Sequence, residues 1–418
     1  MSHSPHTKVT TPRPRLDLGE LLRQFGSLFL ASASLCATVR KVLYRLMACR
    51  TDELGGHMAF CEDCGFEEPA YNSCGDRHCP KCQSVAGTRW VAKRMKTLLP
   101  THYFHTVFTL PAELRPLILG NRKPLLNLLF GAVSGTLLEL SADPRWLGAT
   151  PGFTLVLHTW ARDLNWHPHI HGVITGGGLT PDGRWKSTRG KFLLPIAVMS
   201  ALFRGKFLAG LHELYLGGKL TFTGGQEALA QPAAFRKLMR KVYARSWVVF
   251  AREPFASPEI VYRYLGHYTH RFGLSNRKLL EVSNGQIRLR TRGERSVVLK
   301  LEEFFRRFTL HIMPEHFIRI RHYGLMSTAH LGKKLAQARR VLMAAAGAPP
   351  AGAEERSGLE KAGQESAAEK ERRRRCPKCE GPMSLRGEKL EKPRGSWYER
   401  KFGESMAPRL EETLAQGP

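Results

Sequence analysis

Acidic residues are scarce in this sequence: 36 Asp and Glu stand against 64 Lys and Arg, which gives a formal net charge of +28. Such an excess makes DNA, RNA or an anionic membrane the expected kind of partner. Long apolar runs are scarce as well. The run that we take as the longest, "FGSLFLASASLCATV", falls short of the roughly 20 residues that cross a bilayer, and the start "MSHSPHTKVTTPRPR" has no signal-peptide core. We therefore expect a cytoplasmic protein with no membrane partner.

The sequence also lacks a phosphate-binding loop for nucleotides. The three glycines at 176–178 invite that interpretation, but the stretch up to Gly183 leads into Arg184 and Trp185, where a P-loop has Lys followed by Ser or Thr. The glycines are most simply the turn that ends a strand. No nucleotide cofactor is therefore expected.

A chain of 418 residues is long enough for two or three domains. Helical apolar spacing and a cysteine cluster come first, short β-rich runs alternating with helices follow, and a stretch rich in Ala, Gly, Glu and Lys comes last. The pattern predicts an α+β protein with an antiparallel sheet. The predicted domains are a helical N-terminal domain at 1–98 with its cysteine cluster at 49–82, an α+β domain at 99–330, a helix and flexible charged linker at 331–375, and a tail with a C-x-x-C pair at 376–418.

Two C-x-x-C pairs near the N-terminus, in "CEDCG" and "CPKCQ", have the spacing of a tetrahedral structural zinc site. The predicted ligands of that site are Cys61, Cys64, Cys79 and Cys82. Four neighbours are candidate ligands of a second zinc ion: Cys49, His57, Cys74 and His78. A chance grouping of free thiols is the alternative.

Two further features accompany these cysteines. Arg77 and Arg89 are candidate contacts for DNA phosphates, with a solvated basic face as the alternative. Cys376 and Cys379 supply only half a zinc site, so they need partners from elsewhere in the chain or from another molecule, or they form a free dithiol.

Histidines alternate in "NWHPHIHGVITGGG". Alternate residues of a strand share a face, so His169 and His171 lie side by side while Ile170 points the other way, and His167 is expected to precede the strand. Two neutral imidazoles can bind a divalent metal ion such as Mn²⁺, and Mg²⁺ if water and phosphate complete its shell. Spacing leaves the third ligand open among His158, His267 and His270. Histidines buried for structural reasons are the alternative.

A predicted helix in "SPEIVYRYLGHYTHR" places Tyr264 and Tyr268 one turn apart on its apolar stripe. Such tyrosines are often core residues. Beside a metal ion, however, a tyrosine can attack a phosphodiester and keep the 5′ phosphate as an ester, which leaves a 3′-OH free for later resealing without ATP.

In combination, "HPHIHGVITGGGL", "YLGHYTHR", "FIRIRHYGL" and the two cysteine motifs resemble the rolling-circle insertion-sequence transposases of the HUH superfamily, the group that includes the ISCR elements. The resemblance covers roughly residues 17–330 and the "CPKC" tail. It implies an N-terminal zinc-binding domain with structural Zn²⁺, and a nuclease domain with a ferredoxin-like antiparallel sheet. It also implies nicking and rejoining of single-stranded DNA at element ends with Mg²⁺ or Mn²⁺, by a nucleoid-associated enzyme.

By this resemblance His169 and His171 correspond to the metal-binding histidine pair, and Tyr264 and Tyr268 to the tyrosine pair. His267 stands where relatives often have arginine, and is a candidate further ligand. Arg271, just beyond the tyrosines, is a candidate DNA contact.

Three alternatives remain open at this stage. A plasmid replication initiator or relaxase would share the chemistry. A zinc-dependent hydrolase would need a further Asp or His soon after the histidine pair, which "HIHGVITGG" lacks. A zinc-ribbon DNA-binding protein without enzymatic activity would not need the histidines.

Overall fold

The computed structural model describes residues 16–252, 273–330, 332–345 and 375–393. Within these ranges the protein forms nine α-helices and twelve strands. The helices are α1 (Leu18–Ser32), α2 (Ala37–Ala48), α3 (Pro80–Met95), α4 (Arg115–Gly120), α5 (Arg122–Ala142), α6 (Ile196–Leu216), α7 (Pro232–Tyr243), α8 (Leu301–Leu310) and α9 (Lys334–Ala345). The strands are β1 (Gly56–Cys61), β2 (Glu67–Tyr71), β3 (Tyr103–Thr109), β4 (Thr150–Trp160), β5 (Trp166–Leu179), β6 (Trp185–Ser187), β7 (Val249–Arg252), β8 (Leu279–Ser283), β9 (Gln286–Arg292), β10 (Arg295–Lys300), β11 (Ile320–Gly324) and β12 (Met383–Leu390).

The largest sheet is antiparallel throughout, with strand order β11-β4-β5-β3-β7 and the short β6 paired to the end of β5. This confirms the predicted α+β class. The strands expected near 103–109, 153–159 and 169–175 are all present, and the last two are longer than predicted. The ferredoxin-like arrangement stays a prediction.

The three glycines at 176–178 do not end β5, which continues to Leu179. They are needed because neighbouring groups approach the strand closely. A Cβ on Gly177 would lie 2.8 Å from the ring of Trp185, and one on Gly178 would lie 2.6 Å from the carbonyl of Thr150. The prediction of a turn at this point is wrong, because small residues in a strand can mark close packing as well as a bend.

The main hydrophobic core lies between one face of this sheet and the helices α5 and α6. Ile170 and Ile174 of β5 and Leu157 of β4 point into it. By length and composition α5, not the N-terminal run, is the helix most able to cross a membrane, but most of it is buried in this core. Its apolar residues are therefore accounted for by packing within the protein.

A smaller core covers part of the opposite face of the sheet. Val173 of β5 and Val156 of β4 pack there with Leu335 and Ala338 of α9. The same face carries the histidines of β4 and β5, as the alternation along each strand requires. The sheet thus separates a face that packs mainly through apolar side chains from one that also carries these histidines.

A third core joins residues near the N-terminus to residues between 274 and 312. The N-terminal helices α1 and α2 pack with α8 and with the small antiparallel sheet of order β10-β9-β8. Asp17 caps α1, because its side chain accepts a hydrogen bond from the N–H of Gly19 at 2.7 Å. Arg40 donates to the carbonyl of Leu30 in α1 at 3.1 Å and to that of Leu35 in the connection between α1 and α2 at 3.2 Å. The predicted boundary at residue 98 stays a prediction, and this core shows that residues on both sides of it pack together.

Candidate metal centres

Three histidines meet on adjacent central strands and form the histidine cluster: His158 of β4 with His169 and His171 of β5. His158 lies directly opposite His169 in the β4–β5 ladder. One ring nitrogen of each residue lies within 4.8 Å of the others. His158, an open alternative in the sequence, is thus the third member among the described residues, whereas His267 and His270 lie outside them.

His169 and His171 each use Nδ1 in a bond to a neighbouring group, and these bonds orient the two rings. The Nδ1 of His169 donates to the carbonyl of His167 at 2.7 Å, so its Nε2 keeps the lone pair. The Nδ1 of His171 and the Nε2 of His105 are 2.8 Å apart. If His171 donates in that bond, its Nε2 is available to a metal ion as well. His167 itself lies within β5, because the strand begins at Trp166, so the expectation that it precedes the strand is wrong.

His105 was not singled out in the sequence. It lies on β3 next to β5, and its side chain is 5 % exposed. The signal that could have found it is its alternation with Phe104 and Phe108 in "HYFHTVF", because these two residues face the main core and His105 then points to the other face of the strand. Histidines that bind metals usually have such an orienting partner on the other ring nitrogen.

Burial keeps the histidine cluster neutral. Desolvation lowers the pKa of His169 to about 4, and desolvation together with neighbouring imidazoles holds the pKa of His158 and His171 well below the usual value. Neutral imidazole is the form that binds metals. Three nitrogen donors fit Mn²⁺, Zn²⁺ or Fe²⁺ directly, and Mg²⁺ with a shell of oxygen ligands from water and phosphate. Three protein ligands leave coordination positions for a substrate.

The predicted tyrosines cannot be compared with this geometry, because Tyr264, His267, Tyr268 and Arg271 lie outside the described residues. The two ends of their segment are described. Arg252, at one end, is paired with His105 in the β3–β7 ladder. Gly273, at the other end, packs against Trp160, whose ring stacks on His158 with centroids 4.6 Å apart.

Eight cysteines form two groups of four among the described residues, and their membership differs from the predicted one. The inner cysteine cluster consists of Cys49, Cys74, Cys79 and Cys82, and the clasp cluster consists of Cys61, Cys64, Cys376 and Cys379. The pairing of Cys61 and Cys64 with Cys79 and Cys82 is therefore corrected. The physical reason is the β1–β2 hairpin, whose base lies near Cys49 and Cys74 while Cys61 and Cys64 lie at its tip, about 17 Å along a strand at 3.3 Å per residue.

The inner cysteine cluster has the geometry of a closed site. The Sγ atoms of Cys49 and Cys79 are 3.5 Å apart, and Cys82 Sγ lies 3.6 Å from both Cys49 Sγ and Cys74 Sγ. A tetrahedral zinc ion with bonds of 2.3 Å requires sulfur separations of about 3.8 Å, far from the 2.05 Å of a disulfide. Hydrogen bonding among these thiols lowers the pKa of Cys49 and Cys82 and raises the pKa of Cys74 and Cys79, so two of the four sulfurs are favoured as thiolates.

Neither candidate histidine belongs to a cysteine cluster. His57 lies on β1 between Ala70 and Lys389 of the neighbouring strands. His78 is buried and donates from Nδ1 to Asp76 at 2.8 Å, while its Nε2 accepts from the N–H of Met313 at 3.2 Å. The prediction of these two histidines as zinc ligands is therefore wrong. His78 instead joins the cysteine-rich loop to the segment before β11.

The two described arginine candidates differ. Arg77 donates to the carbonyls of Pro314 and Phe317, both at 2.6 Å, which commits its guanidinium to that segment. Arg89 is exposed on α3. A basic surface that was not singled out lies on β9, where Arg290 and Arg292 are exposed and alternate with the buried Leu289.

Two protein families match this chain, one over the cysteine-rich region and one over the region with the histidine strands. The family described as "Transposase zinc-binding domain" matches residues 21–110, and the family described as "Putative transposase" matches residues 152–334. The "Putative transposase y4qJ" of Sinorhizobium fredii (strain NBRC 101917 / NGR234) is 43 % identical over 341 residues, which cover 80 % of this chain and 86 % of the relative. The "Transposase for insertion sequence element IS801" of Pseudomonas savastanoi pv. phaseolicola is 27 % identical over 350 residues, 81 % of this chain and 82 % of the relative.

No solved structure gives a significant match. The two family matches and the first relative cover the zinc-binding region, the central sheet and the histidine cluster. The chain therefore belongs to the IS91/IS801 family of insertion-sequence transposases, the family of rolling-circle elements.

Proposed function

We propose that this transposase nicks and rejoins single-stranded DNA at the ends of its element through a 5′-phosphotyrosine intermediate. The proposed nucleophiles are Tyr264 and Tyr268, and the proposed ligands of a catalytic Mg²⁺ or Mn²⁺ ion are His158, His169 and His171. The nuclease domain is then of the ferredoxin-like HUH type. The proposed substrate implies action in the cytoplasm, at the nucleoid.

One observation carries the proposal: the segment with the two tyrosines starts and ends beside the histidine cluster. Arg252 is paired with His105, which is bonded to His171, and Gly273 packs on Trp160, which stacks on His158. A segment of 20 residues held at both ends near three neutral imidazoles can bring a phenol to a phosphate bound there. The positions of Arg252 and Gly273 beside the histidine cluster therefore support a tyrosine nuclease.

The proposed reaction exchanges one phosphodiester for another. The phenol oxygen of tyrosine forms a bond to phosphorus, the bond to the 3′ oxygen breaks, and the phenol proton is lost while the leaving oxygen gains one. A bound divalent ion supplies Lewis-acid polarisation of the phosphate. A phenol with a pKa near 10 needs that help at neutral pH. Attack by a 3′-OH on the tyrosine ester reverses the step, so no nucleotide is consumed.

The residues around the cluster have separate proposed tasks. His105 and the carbonyl of His167 hold the imidazoles in the tautomers that direct Nε2 outward. Two tyrosines allow one to hold the donor strand while the other makes the next cut. Arg290 and Arg292 on β9, with Arg89 and Arg271, are proposed phosphate contacts, since an unpaired DNA strand is bound largely through its backbone charge.

The family match favours a transposase over the alternatives. A replication initiator or relaxase would share the chemistry, but the matching family and the similar proteins are described as transposases. A zinc-ribbon protein without activity would have no use for the buried histidine cluster. The combination of a zinc-binding region and the histidine cluster therefore supports transposase activity.

The test is a nicking assay on single-stranded oligonucleotides that represent both flanks of the gene, with Mn²⁺ or Mg²⁺. Wild-type protein is expected to form a covalent protein–DNA adduct, and Y264F/Y268F to form none. Tyr243→Phe is the matched control, because Tyr243 is an exposed tyrosine at the end of α7, and it should form the adduct as wild type does. An adduct that survives in Y264F/Y268F would refute the tyrosine mechanism.

A further inference from the structure

We propose that the clasp cluster is a second structural zinc site, which joins the C-terminal segment of the chain to the N-terminal hairpin. Its four ligands would be Cys61 and Cys64 from one end of the sequence and Cys376 and Cys379 from the other. The family match to a zinc-binding domain stops at residue 110 and does not include the second pair. The inference concerns the architecture of the chain and is independent of the DNA chemistry proposed above.

The sulfur atoms have the separations that a metal ion needs. Cys61 Sγ lies 3.5 Å from Cys379 Sγ, and Cys64 Sγ lies 3.5 Å from Cys376 Sγ. These values are close to the roughly 3.8 Å of a tetrahedral zinc–thiolate site and exclude two disulfides. All four sulfurs lie within 4.8 Å of one another.

The two C-x-x-C loops fold in the same way, although more than 300 residues separate them. In the first, the N–H of Gly65 donates to the carbonyl of Cys61 at 3.0 Å, and the N–H of Cys61 donates to the carbonyl of Phe66 at 2.8 Å. In the second, the N–H of Glu380 donates to the carbonyl of Cys376 at 2.9 Å, and the N–H of Cys376 donates to the carbonyl of Gly381 at 2.8 Å.

The residues that follow the two loops also share a backbone conformation. Gly65 and Glu380 both have a positive φ, 69° and 59°. A non-glycine residue adopts this conformation at a cost, so Glu380 is held there by its surroundings. Two loops with matched backbone hydrogen bonds and facing thiols are the usual construction of a zinc ribbon.

The surrounding strands bring the loops together. β12, directly after the second loop, pairs with β1 antiparallel, so that Met383 lies opposite Cys61. Arg386 of β12 forms an ion pair with Glu67 at 2.8 Å and stacks over Phe60 at 4.0 Å. Lys378 of the second loop lies over the ring of Phe66 at 4.9 Å. The β12-β1-β2 sheet is small, and such a sheet is marginal without a core or a metal ion.

The site differs from the inner cysteine cluster in its exposure. Cys64 and Cys379 are exposed, whereas Cys61 and Cys376 are buried. Chelators and thiol reagents should therefore reach the clasp cluster before the inner cluster. This difference provides a measurement that does not depend on DNA cleavage.

The experiment counts sulfur-bound metal in the full-length protein after Co²⁺ replaces Zn²⁺, from the thiolate-to-cobalt charge-transfer absorption. Histidine-bound cobalt does not contribute to that band. Wild type is expected to hold two tetrathiolate ions per chain, and C376S/C379S to hold one. Cys36→Ser is the control, because Cys36 belongs to neither cluster, and it should keep two. One ion in wild type, or two in C376S/C379S, would overturn the proposal.

A second measurement covers the case in which the double variant does not fold. Wild-type protein is treated with N-ethylmaleimide before and after a short exposure to a chelator, and modified cysteines are mapped by mass. Cys64 and Cys379 should be protected while zinc is bound and should react together once it is removed, at least tenfold faster than before. Rapid modification of these exposed thiols before chelation would overturn the proposal, with no variant involved.

Discussion

The inner cysteine cluster and the histidine cluster both gather metal-binding side chains, yet they leave different amounts of space around a metal ion. Four sulfurs from two helix ends and a loop surround the first, so a zinc ion there would have no position left for a substrate. Three imidazoles from neighbouring strands supply the second, and the far side of an ion there would be open.

This difference separates folding from chemistry. A closed site stabilises the chain that forms it, and its loss removes structure. An open site built on strands that already belong to a large core should lose its metal with little effect on the fold, because the sheet is held by the main hydrophobic core.

The largest effect is expected for Cys79→Ser in the inner cysteine cluster. Cys79 is 2 % exposed and directly precedes α3 as its N-cap residue. The zinc-binding free energy of such sites is roughly 10–16 kcal/mol, which exceeds the stability of many whole domains. Thermal unfolding followed by near-ultraviolet circular dichroism should show that the N-terminal region no longer unfolds cooperatively. Cys36→Ser is the control, and an unchanged melting curve for Cys79→Ser would contradict a structural role for this cluster.

His169→Ala should greatly reduce activity and have little effect on stability. Removal of one of three ligands should slow adduct formation by about 100-fold or more, because a divalent ion contributes several kcal/mol to such a reaction and each 1.36 kcal/mol is tenfold in rate. The melting temperature should change much less than for Cys79→Ser. His167→Ala, two residues earlier on β5 and outside the histidine cluster, is the control and should cut at the wild-type rate. Equal activity of His169→Ala and wild type would remove the metal from the mechanism.

His105→Gln tests the orientation of the histidine cluster without removing a ligand. Because His105 bonds to the Nδ1 of His171, its loss should weaken Mn²⁺ binding by about 10–100-fold, the range typical of groups that orient metal ligands. Titration calorimetry with Mn²⁺, which thiolates bind poorly, measures this directly. His322→Gln is the control, since His322 bonds to Thr154 on the same sheet and not to the cluster. An unchanged Mn²⁺ affinity in His105→Gln would show that His171 needs no such partner.

Part of the grouping of metal-binding side chains could be predicted from the sequence. The alternation of "HIH" was sufficient to place His169 and His171 on one face of a strand, because that periodicity is local. The grouping of the cysteines was not, since the hairpin β1–β2 separates two pairs that are close in sequence and β12 brings in a pair from the other end. Spacing along the chain carries no record of such long-range pairing. His105 was missed for the same reason, because its neighbour His171 is 66 residues away.

The smallest effect is expected from a histidine that belongs to neither kind of cluster. His311 is fully buried, accepts a hydrogen bond from Thr159 at Nδ1 at 3.1 Å and donates from Nε2 to the carbonyl of Leu164 at 2.9 Å. Burial lowers its pKa from 6.5 to about 4, so the unfolded chain takes up a proton at a higher pH than the folded chain. Stability due to this neutral histidine is complete above pH 6.5 and is lost as the pH falls toward 4.

Between pH 7 and pH 5.5 this one residue should lower the free energy of unfolding by about 1 kcal/mol. Urea unfolding at both pH values gives the change in the free energy of unfolding for wild type and for His311→Gln. The difference between these two changes is the contribution of His311. Identical pH dependences would mean that His311 is not held neutral by the fold.

The central claim, that an open histidine site serves a tyrosine nucleophile, is tested most directly by mapping the protein–DNA adduct by peptide mass. The wild-type protein is incubated with single-stranded DNA from the flanks of its gene, with and without Mn²⁺, and digested. We expect the DNA-linked peptide to contain Tyr264 or Tyr268 and to appear only with the metal ion. A linked peptide from any other part of the chain, or the same adduct in equal yield without a divalent ion, would contradict the claim.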